Sequence, residues 1–110
     1  FSFISDSDLT ALLNNLLENS YEAAKESINR TIDISISKKN EQFIIFYVIN
    51  SCDIPPQRNG HIFTTSKTNK LYHGFGIKSI NRVASKYKGQ TEFKYDHKDK
   101  VFHSYVLLKI

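Results

Sequence analysis

The sequence predicts an α+β fold, because two amphipathic helical segments and two pairs of strand-like runs occur within one chain of 110 residues. A chain of this length forms a single domain with one core. Its composition is that of an ordinary globular protein, with 40% hydrophobic and 24% charged residues. The net charge of +4 is scattered along the chain, so it predicts a solvated surface and no nucleic-acid partner.

The first helix is predicted by a capping box and a long apolar stripe. Ser5 and Asp8 have the spacing of a capping box. The stripe then recurs at steps of three and four residues and consists of Leu9, Leu12, Leu13, Leu16, Leu17, Ser20, Ala23 and Ala24. Asn15 and Asn19 lie off this stripe, one turn apart, and are expected to face outward or into a cleft. Residues 1–4 look like strand sequence entered midway, so we expect a segment of a longer protein.

The remaining elements follow from the alternation of apolar and polar residues. Period-two alternation over residues 31–37 and a β-rich run over 43–49 predict two antiparallel strands. The polar stretch 53–73 predicts a long loop of the kind that forms lids. A second helix is predicted from about Ile77 to Tyr87, and a final hairpin from strands over 90–95 and 101–110.

A Gly-x-Gly element precedes this second helix. Gly74 and Gly76 would offer bare backbone N–H groups to a phosphate at the helix start. The third glycine of the dinucleotide fingerprint is missing, and the element follows a polar loop, so a Rossmann site is not predicted. Because amide oxygens such as those of Asn15 and Asn19 suit Mg²⁺, the amides and glycines together predict a nucleotide site.

Other reactive side chains give no competing site. The single cysteine, Cys52, excludes an intramolecular disulfide and is expected to be a packing residue. None of the four histidines, His61, His73, His97 and His103, forms a helical metal-ligand pair. The sequence contains neither a membrane-spanning apolar run nor a signal peptide.

The motif order resembles that of a known family over essentially the whole chain. Leu-Leu-x-Asn-Leu-Leu-Glu-Asn-Ser-x-Glu-Ala is followed by a strand, by a lid containing Phe63-Thr-Thr-Ser-Lys67, and by His73-Gly-Phe-Gly-Ile-Lys-Ser. This order is similar to that of the ATP-binding domain of sensor histidine kinases in the GHKL superfamily. Within that group the chain most resembles the peptide-pheromone quorum-sensing kinases of Gram-positive bacteria. The resemblance implies the Bergerat fold, an α+β two-layer sandwich with a mixed, mainly antiparallel sheet, about three helices and a flexible ATP lid.

The resemblance also implies roles for individual residues. Asn15 and Asn19 fall on the family's N-box as the catalytic amides, with Asn19 as the Mg²⁺ ligand and Asn15 beside the phosphates. ATP-hydrolysing branches of the superfamily carry, at the position of Asn15, a glutamate that activates water. An amide cannot accept a proton from water at neutral pH, which favours transfer of the γ-phosphoryl group to a protein side chain over hydrolysis. The implied ATP-binding set is Asn15, Asn19, Asn50, Phe63, Lys67, Gly74, Phe75, Gly76 and Ile77. Asn50 stands where the family has an aspartate for the adenine amino group, and Asp53 is an alternative for that contact.

The implied function is the transfer of the γ-phosphoryl group of Mg·ATP to a histidine on an upstream dimerisation domain, with a response regulator downstream. The domain is expected to be the cytoplasmic part of a membrane-bound sensor. It is expected to be monomeric in isolation, homodimeric as the whole protein, and unable to autophosphorylate alone. Two alternatives remain open: a serine kinase of the anti-sigma type with the same fold, and a degenerate module that binds a protein or nucleic acid without catalysis.

Overall fold

The described residues form a four-stranded sheet covered on one face by two helices, together with a separate two-stranded hairpin. The computed structural model describes residues 2–59, 62–64 and 70–110, with side chains described for 2–56 and 76–110. The elements in chain order are α1 (Asp6–Ala24), β1 (Ile32–Lys39), β2 (Phe43–Ser51), β3 (Gln57–Asn59), β4 (Ile62–Thr64), α2 (Lys70–Lys86), β5 (Gln90–Asp96) and β6 (Val101–Lys109). The predicted α+β class is confirmed; within the described ranges the helices number two and every strand pairing is antiparallel.

Helix α1 begins where the sequence predicts. Ser5 is its N-cap, and the Ser5 hydroxyl accepts a hydrogen bond from the Asp8 backbone N–H at 3.2 Å. The apolar stripe faces the sheet, although Leu17 lies at its margin and remains 39% exposed. The expectation of a strand before this helix is wrong, because residues 2–4 form a turn that carries Ile4 into the core.

The four long strands form a sheet in the order β1-β2-β6-β5, while β3 and β4 form a separate hairpin. Both predicted antiparallel pairs are confirmed, with Ile36 opposite Phe46 in the first and Phe93 opposite Ser104 in the second. Strands β2 and β6 join the two pairs at the centre of the sheet. Because side chains alternate between the two faces of a strand, every second residue of β2 is buried under the helices.

The core lies between this face of the sheet and the helices. Its residues come from both layers and are Ile4, Leu12, Leu16, Ile44, Phe46, Val48, Ile77, Ile80, Val83, Ala84, Val106 and Leu108. The edge strand β1 is covered less well than β2. Ile34 and Ile36 point to the helix side of the sheet, opposite buried Val48 and Phe46, yet remain 52% and 43% exposed.

The start of α2 and the loop before it differ from the prediction. Helix α2 begins at Lys70, not near Ile77, and the stretch predicted as one long loop contains β3, β4 and the first turns of α2. Glycine lowers helix propensity by about 1 kcal/mol relative to alanine, which does not forbid a helix. Because Ile77, Ile80 and Val83 bury one face of α2 against the core, tertiary packing supports the helix despite its glycines.

Candidate functional site

Two side-chain amides on α1 form the first part of the candidate site. Asn15 and Asn19 are both partly buried, whereas the neighbouring Asn14 and Glu18 are exposed. The Asn15 amide nitrogen donates a hydrogen bond to the backbone oxygen of Ala11 at 2.8 Å. This bond uses the donor end of the Asn15 amide, and it leaves the oxygen Oδ1 as the end that is directed away from the α1 backbone.

Gly76 on α2 lies directly opposite these amides. A methyl group added at Gly76 would lie 3.3 Å from Asn19 Oδ1, 3.4 Å from Asn15 Oδ1 and 3.5 Å from Asn19 Nδ2. The missing side chain at Gly76 therefore lets both amide oxygens lie close to α2, and the space between them is slightly too small for an unstrained methyl group. Two segments that are some sixty residues apart in sequence, which the motifs had linked, meet at this point. The binding roles of the three residues stay predictions.

The glycines do not precede the helix as expected. Gly74 and Gly76 lie inside α2, which begins at Lys70, so the positive end of the helix is not beside Gly76. The expectation that the N-terminal N–H groups of the helix would follow the glycines is therefore wrong. The contribution of Gly76 that the structure supports is the space left by its missing side chain.

The antiparallel packing of α1 and α2 is held by a polar cluster at the end opposite to the amides. Asp8 is buried, and its Oδ2 accepts hydrogen bonds from Lys86 Nζ and Tyr87 Oη, both at 2.7 Å. Tyr87 Oη also accepts the Ser5 backbone N–H at 3.1 Å, and Arg82 lies 3.8 Å from Asp8 Oδ1. Hydrogen bonds from Lys86 and Tyr87 lower the pKa of Asp8 from 3.8 to about 2. Asp8 thus joins the two helices that carry the candidate site.

Asn50 lies at the end of β2, on the face that the helices cover. Its side chain is only 2% exposed, and its Nδ2 donates to the Ser51 backbone oxygen at 3.0 Å. Next to it, the Ser27 and Ser51 hydroxyl oxygens lie 2.6 Å apart and join the loop after α1 to the end of β2. Asp53 has a different environment, because its Oδ2 accepts the backbone N–H of Ile28 at 2.8 Å. Of the two residues considered for the adenine contact, Asn50 is the buried one.

The other predicted site residues are placed as follows. Ile77 lies in the core and is 4% exposed, so its side chain packs between the helices and the sheet. Phe63 belongs to β4, and Gly74 and Phe75 belong to α2, but their side chains are not among those described. Lys67 lies outside the described residues. These four residues stay predictions.

The remaining titratable groups of the described residues have local roles. In the described ranges, no group of three or more His, Cys, Asp and Glu side chains could hold a metal ion. Cys52 is buried, and burial is the main cause that raises the pKa of its thiol to about 11, which fits the expected packing role. His103 lies with its Nδ1 2.7 Å from Tyr47 Oη on the face of the sheet away from the helices.

Comparison with known families identifies the chain. A family model described as the GHKL domain matches residues 4–109, nearly the whole length. This chain belongs to the GHKL domain family. GHKL domains bind ATP, typically with Mg²⁺, and the family includes ATPases and kinases. No curated protein matches the chain.

The GHKL assignment fits the donor set of the site. Mg²⁺ prefers oxygen ligands, and Asn15 Oδ1 and Asn19 Oδ1 both border the space at Gly76. An ion held by one of these amide oxygens would complete its coordination with phosphate and water oxygens. Among the described helices of this GHKL domain, neither has the length and apolar character needed to span a membrane.

Sequence reasoning missed two parts of this GHKL domain. The partners of Asp8 are 78 and 79 residues away along the chain, and the capping-box spacing pointed only to its local role. The serine pair Ser27 and Ser51 lies at the start of a loop and the end of a strand, where serine is common. A polar residue directly after a predicted strand, as at Asn50, was the one available signal for this cluster.

Proposed function

We propose that this GHKL domain binds Mg·ATP and donates its γ-phosphoryl group to a histidine on an upstream dimerisation domain of the same protein. The observation that carries the proposal is the meeting of Asn15, Asn19 and Gly76, where two amide oxygens border a space without a side chain. The motif order adds the subtype, a sensor histidine kinase similar to the peptide-pheromone quorum-sensing kinases. Its phosphoryl group would pass on to a response regulator in two-component signalling.

In this proposal the residues act by positioning and by binding charge. Asn19 would hold Mg²⁺, and the ion would supply positive charge to the phosphate oxygens. Asn15 would lie beside the phosphates, with its oxygen Oδ1 available to the bound ion and not to the phosphate oxygens, which are also acceptors. A carboxamide cannot remove a proton from water at neutral pH, so the site lacks a general base at this position. Transfer to a protein side chain is therefore favoured over hydrolysis.

The acceptor is proposed to be outside this domain. His97 is in the exposed turn between β5 and β6, and His103 is engaged with Tyr47 on the sheet face away from the helices. Neither lies on α1 or α2, which carry the candidate phosphate site; of the other two histidines, His73 belongs to α2 but its side chain is not among those described, and His61 lies outside the described residues. In this proposal the acceptor histidine lies on separate helices and approaches the γ-phosphate from outside the domain. The proposed setting is the cytoplasmic part of a membrane-bound sensor that dimerises through those helices.

Nucleotide binding is tested by calorimetric titration with ATP and ADP, with and without Mg²⁺. We expect saturable binding with a Kd between micromolar and millimolar, weakened by removal of Mg²⁺ and by Asn19→Ala. Asn14→Ala is the matched control, because it makes the same chemical change on the exposed side of α1 and should leave the Kd unchanged. Saturable binding to neither nucleotide would contradict the proposal.

The acceptor is tested with a longer chain that carries the upstream helices. Incubation with labelled ATP should label the longer chain and leave the domain alone unlabelled. The label should be lost in acid and kept in alkali, as expected for phosphohistidine. An acid-stable label on a partner's serine would instead support the anti-sigma-type kinase, and a phosphorylated histidine on the isolated domain would contradict the proposed acceptor.

A further inference from the structure

Strand β1 forms one open edge of the sheet and is poorly covered. Its first residue, Ile32, is partly buried, and the residues that follow it in the strand are exposed. Ile34 and Ile36 belong to this exposed set although they lie on the helix side of the sheet. An exposed edge strand that carries apolar side chains is a template for pairing with another strand.

Strand β5, at the opposite edge of the sheet, is protected against such pairing. Its exposed side chains are polar and belong to Gln90, Glu92 and Lys94. Glu92 and Lys94 form an ion pair at 2.8 Å, and charged side chains on an edge strand oppose its pairing with another chain. Residues 32–37 of β1, in contrast, contain a single charged residue. The two edges therefore differ, and β1 is the edge open to a partner.

The free backbone groups of β1 are spaced for an antiparallel partner. The Thr31 carbonyl accepts the Ser51 N–H at 2.9 Å, so the backbone groups of Thr31 are directed toward β2. Because this direction alternates along a strand, Ile34 and Ile36 direct their N–H and C=O groups to the open edge. The same two residues carry exposed apolar side chains. A strand that paired with their backbone would also cover the isoleucines.

Helix α1 extends the apolar surface above this edge. Asn15 and Asn19 mark the side of α1 that faces α2. Leu17 and Tyr21 lie about half a turn from them, and Tyr21 is 59% exposed. Because α1 packs over β1 and β2 whereas α2 packs over β5 and β6, this other side of α1 faces the open edge. The exposed apolar surface here, the edge patch, consists of Leu17, Tyr21, Ile34 and Ile36.

We propose that the edge patch binds the same patch of a second copy of this domain, through antiparallel pairing of the two β1 strands about Ser35. Strand β1 is self-complementary in this register. Ile34 lies opposite Ile36 of the second copy, so the two-fold axis brings together two isoleucines from each copy. On the other face of the sheet, Asp33 lies diagonally across from Lys39 of the second copy, within reach of its long side chain. Two four-stranded sheets thereby join into one.

Other registers are less favourable than the one about Ser35. Pairing about Ile36 would place Ile34 opposite Lys38 and would leave one isoleucine pair in place of two. Pairing about Ile34 would place residues 37–39 opposite residues 29–31, which lie outside β1. The register about Ser35 therefore combines the longest ladder with the most apolar contact.

The pairing leaves the candidate nucleotide site open, because Asn15 and Asn19 lie on the side of α1 away from the edge patch. The inference thus goes beyond the proposed function and does not depend on it. It departs from the expectation, implied by the resemblance alone, that the isolated domain is monomeric.

Sedimentation velocity at protein concentrations up to about 1 mM tests the association. We expect a monomer–dimer equilibrium with a Kd below about 1 mM, since a small interface gives weak association. Ser35→Lys and Ser35→Asp should each weaken the dimer several-fold, because like charges then meet on the axis. An equimolar mixture of the two variants should associate again. Gln90→Lys, the same type of change at an exposed position of β5, is the matched control and should keep the Kd.

Cysteine cross-linking tests the register. Residue 35 would face its own copy in a non-hydrogen-bonded pair, with Cα atoms about 4.5 Å apart, which is within the range of a disulfide. Oxidised Ser35→Cys should therefore run as a covalent dimer. Ser37→Cys, also exposed on β1, is the matched control, because its two copies would be about 14 Å apart along the strands. The native Cys52 is buried and should not cross-link.

Circular dichroism establishes that each variant is folded. Four results would each overturn the inference: a domain that stays monomeric at about 1 mM, equal effects of Ser35→Lys and Gln90→Lys, no recovery in the mixture, and equal cross-linking of the two cysteine variants.

Discussion

Gly76→Ala separates the stability of the fold from the function of the candidate site. The added methyl would lie 3.3 Å from Asn19 Oδ1 and 3.4 Å from Asn15 Oδ1, and no backbone atom lies among its three nearest neighbours. Both neighbours are the ends of side chains, which can move by a few tenths of an ångström. The strain is therefore passed to the two amides and not to the core.

The expected change in the free energy of unfolding is small. Alanine in place of a helical glycine gains about 1 kcal/mol from helix propensity. Displacing an asparagine side chain from its preferred rotamer costs about 0.5 to 1.5 kcal/mol. These two contributions have opposite signs and similar size. The free energy of unfolding of Gly76→Ala should therefore lie within about 1 kcal/mol of that of the unmodified domain.

Nucleotide binding should respond much more strongly. The methyl occupies the space between the amide oxygens and turns both away from their positions in the unmodified domain. Loss of one hydrogen bond or ligand contact to a charged group costs about 1.5 to 3 kcal/mol. This corresponds to a Kd for Mg·ATP that is weaker by about tenfold to a hundredfold.

The assay pairs urea denaturation with calorimetric titration on the same samples. Ser85→Ala is the control, because it also places alanine in α2 but at an exposed position away from the amides. It should leave the Kd unchanged. If Gly76→Ala binds Mg·ATP as tightly as the unmodified domain, the space at Gly76 is not part of the nucleotide site and the reasoning from it is refuted.

Two further changes test the packing that positions the site. Gly89→Ala would place a methyl 1.7 Å from the Leu107 backbone oxygen, so urea denaturation should show destabilisation by about 2 kcal/mol or more, unlike Gly76→Ala. A stable Gly89→Ala would contradict the close approach of the chain to β6. Because the folded-state pKa of Asp8 is lowered to about 2, its stabilising effect is present above its ordinary value of 3.8 and is lost as the pH falls through about 2. Asp8→Asn should therefore lower the urea midpoint at pH 7 and make that midpoint less dependent on pH between about 4 and 2. Asp99→Asn, in the exposed turn, is the control and should change neither quantity. An equal dependence on pH in Asp8→Asn and the unmodified domain would refute this prediction.

The strands were predictable because their side chains follow a local rule. The alternation in β2 places Ile44, Phe46 and Val48 on one face, and the structure buries all three. The same rule places Ile34 and Ile36 on the helix side of the sheet, but it does not predict that they remain exposed. Exposure depends on how far the helices extend over the edge strand, which period-two alternation does not encode.

The start of α2 could not be predicted from local propensity. Two glycines within three residues indicated a helix boundary, and the preceding polar residues showed no apolar periodicity. The helix nevertheless begins at Lys70. Its stability comes from contacts of Ile80 and Val83 with a sheet that forms from distant parts of the chain. Propensity is worth about 1 kcal/mol per glycine, so burial of such side chains outweighs it.

The candidate site was predictable in its residue types but not in its arrangement. The motif order pointed to Asn15, Asn19 and Gly76, and the structure brings them within contact distance. The motif order could not reveal that the partners of Asp8 are at the far end of α2. It also could not reveal that the Thr31 backbone N–H donates to the Ser51 hydroxyl. Both features depend on pairings between segments at least 20 residues apart.

The two amides that are proposed to contact opposite ends of the nucleotide share one arrangement. Asn15 donates its N–H to the Ala11 oxygen, and Asn50 donates its N–H to the Ser51 oxygen. In each case a backbone carbonyl takes the donor end and leaves the amide oxygen for a ligand. Oxygen acceptors suit Mg²⁺ beside the phosphates and an amino group on the base. Because neither group removes a proton at neutral pH, such a site can bind and orient Mg·ATP without activating water, which is the behaviour required of a phosphoryl donor to another protein side chain.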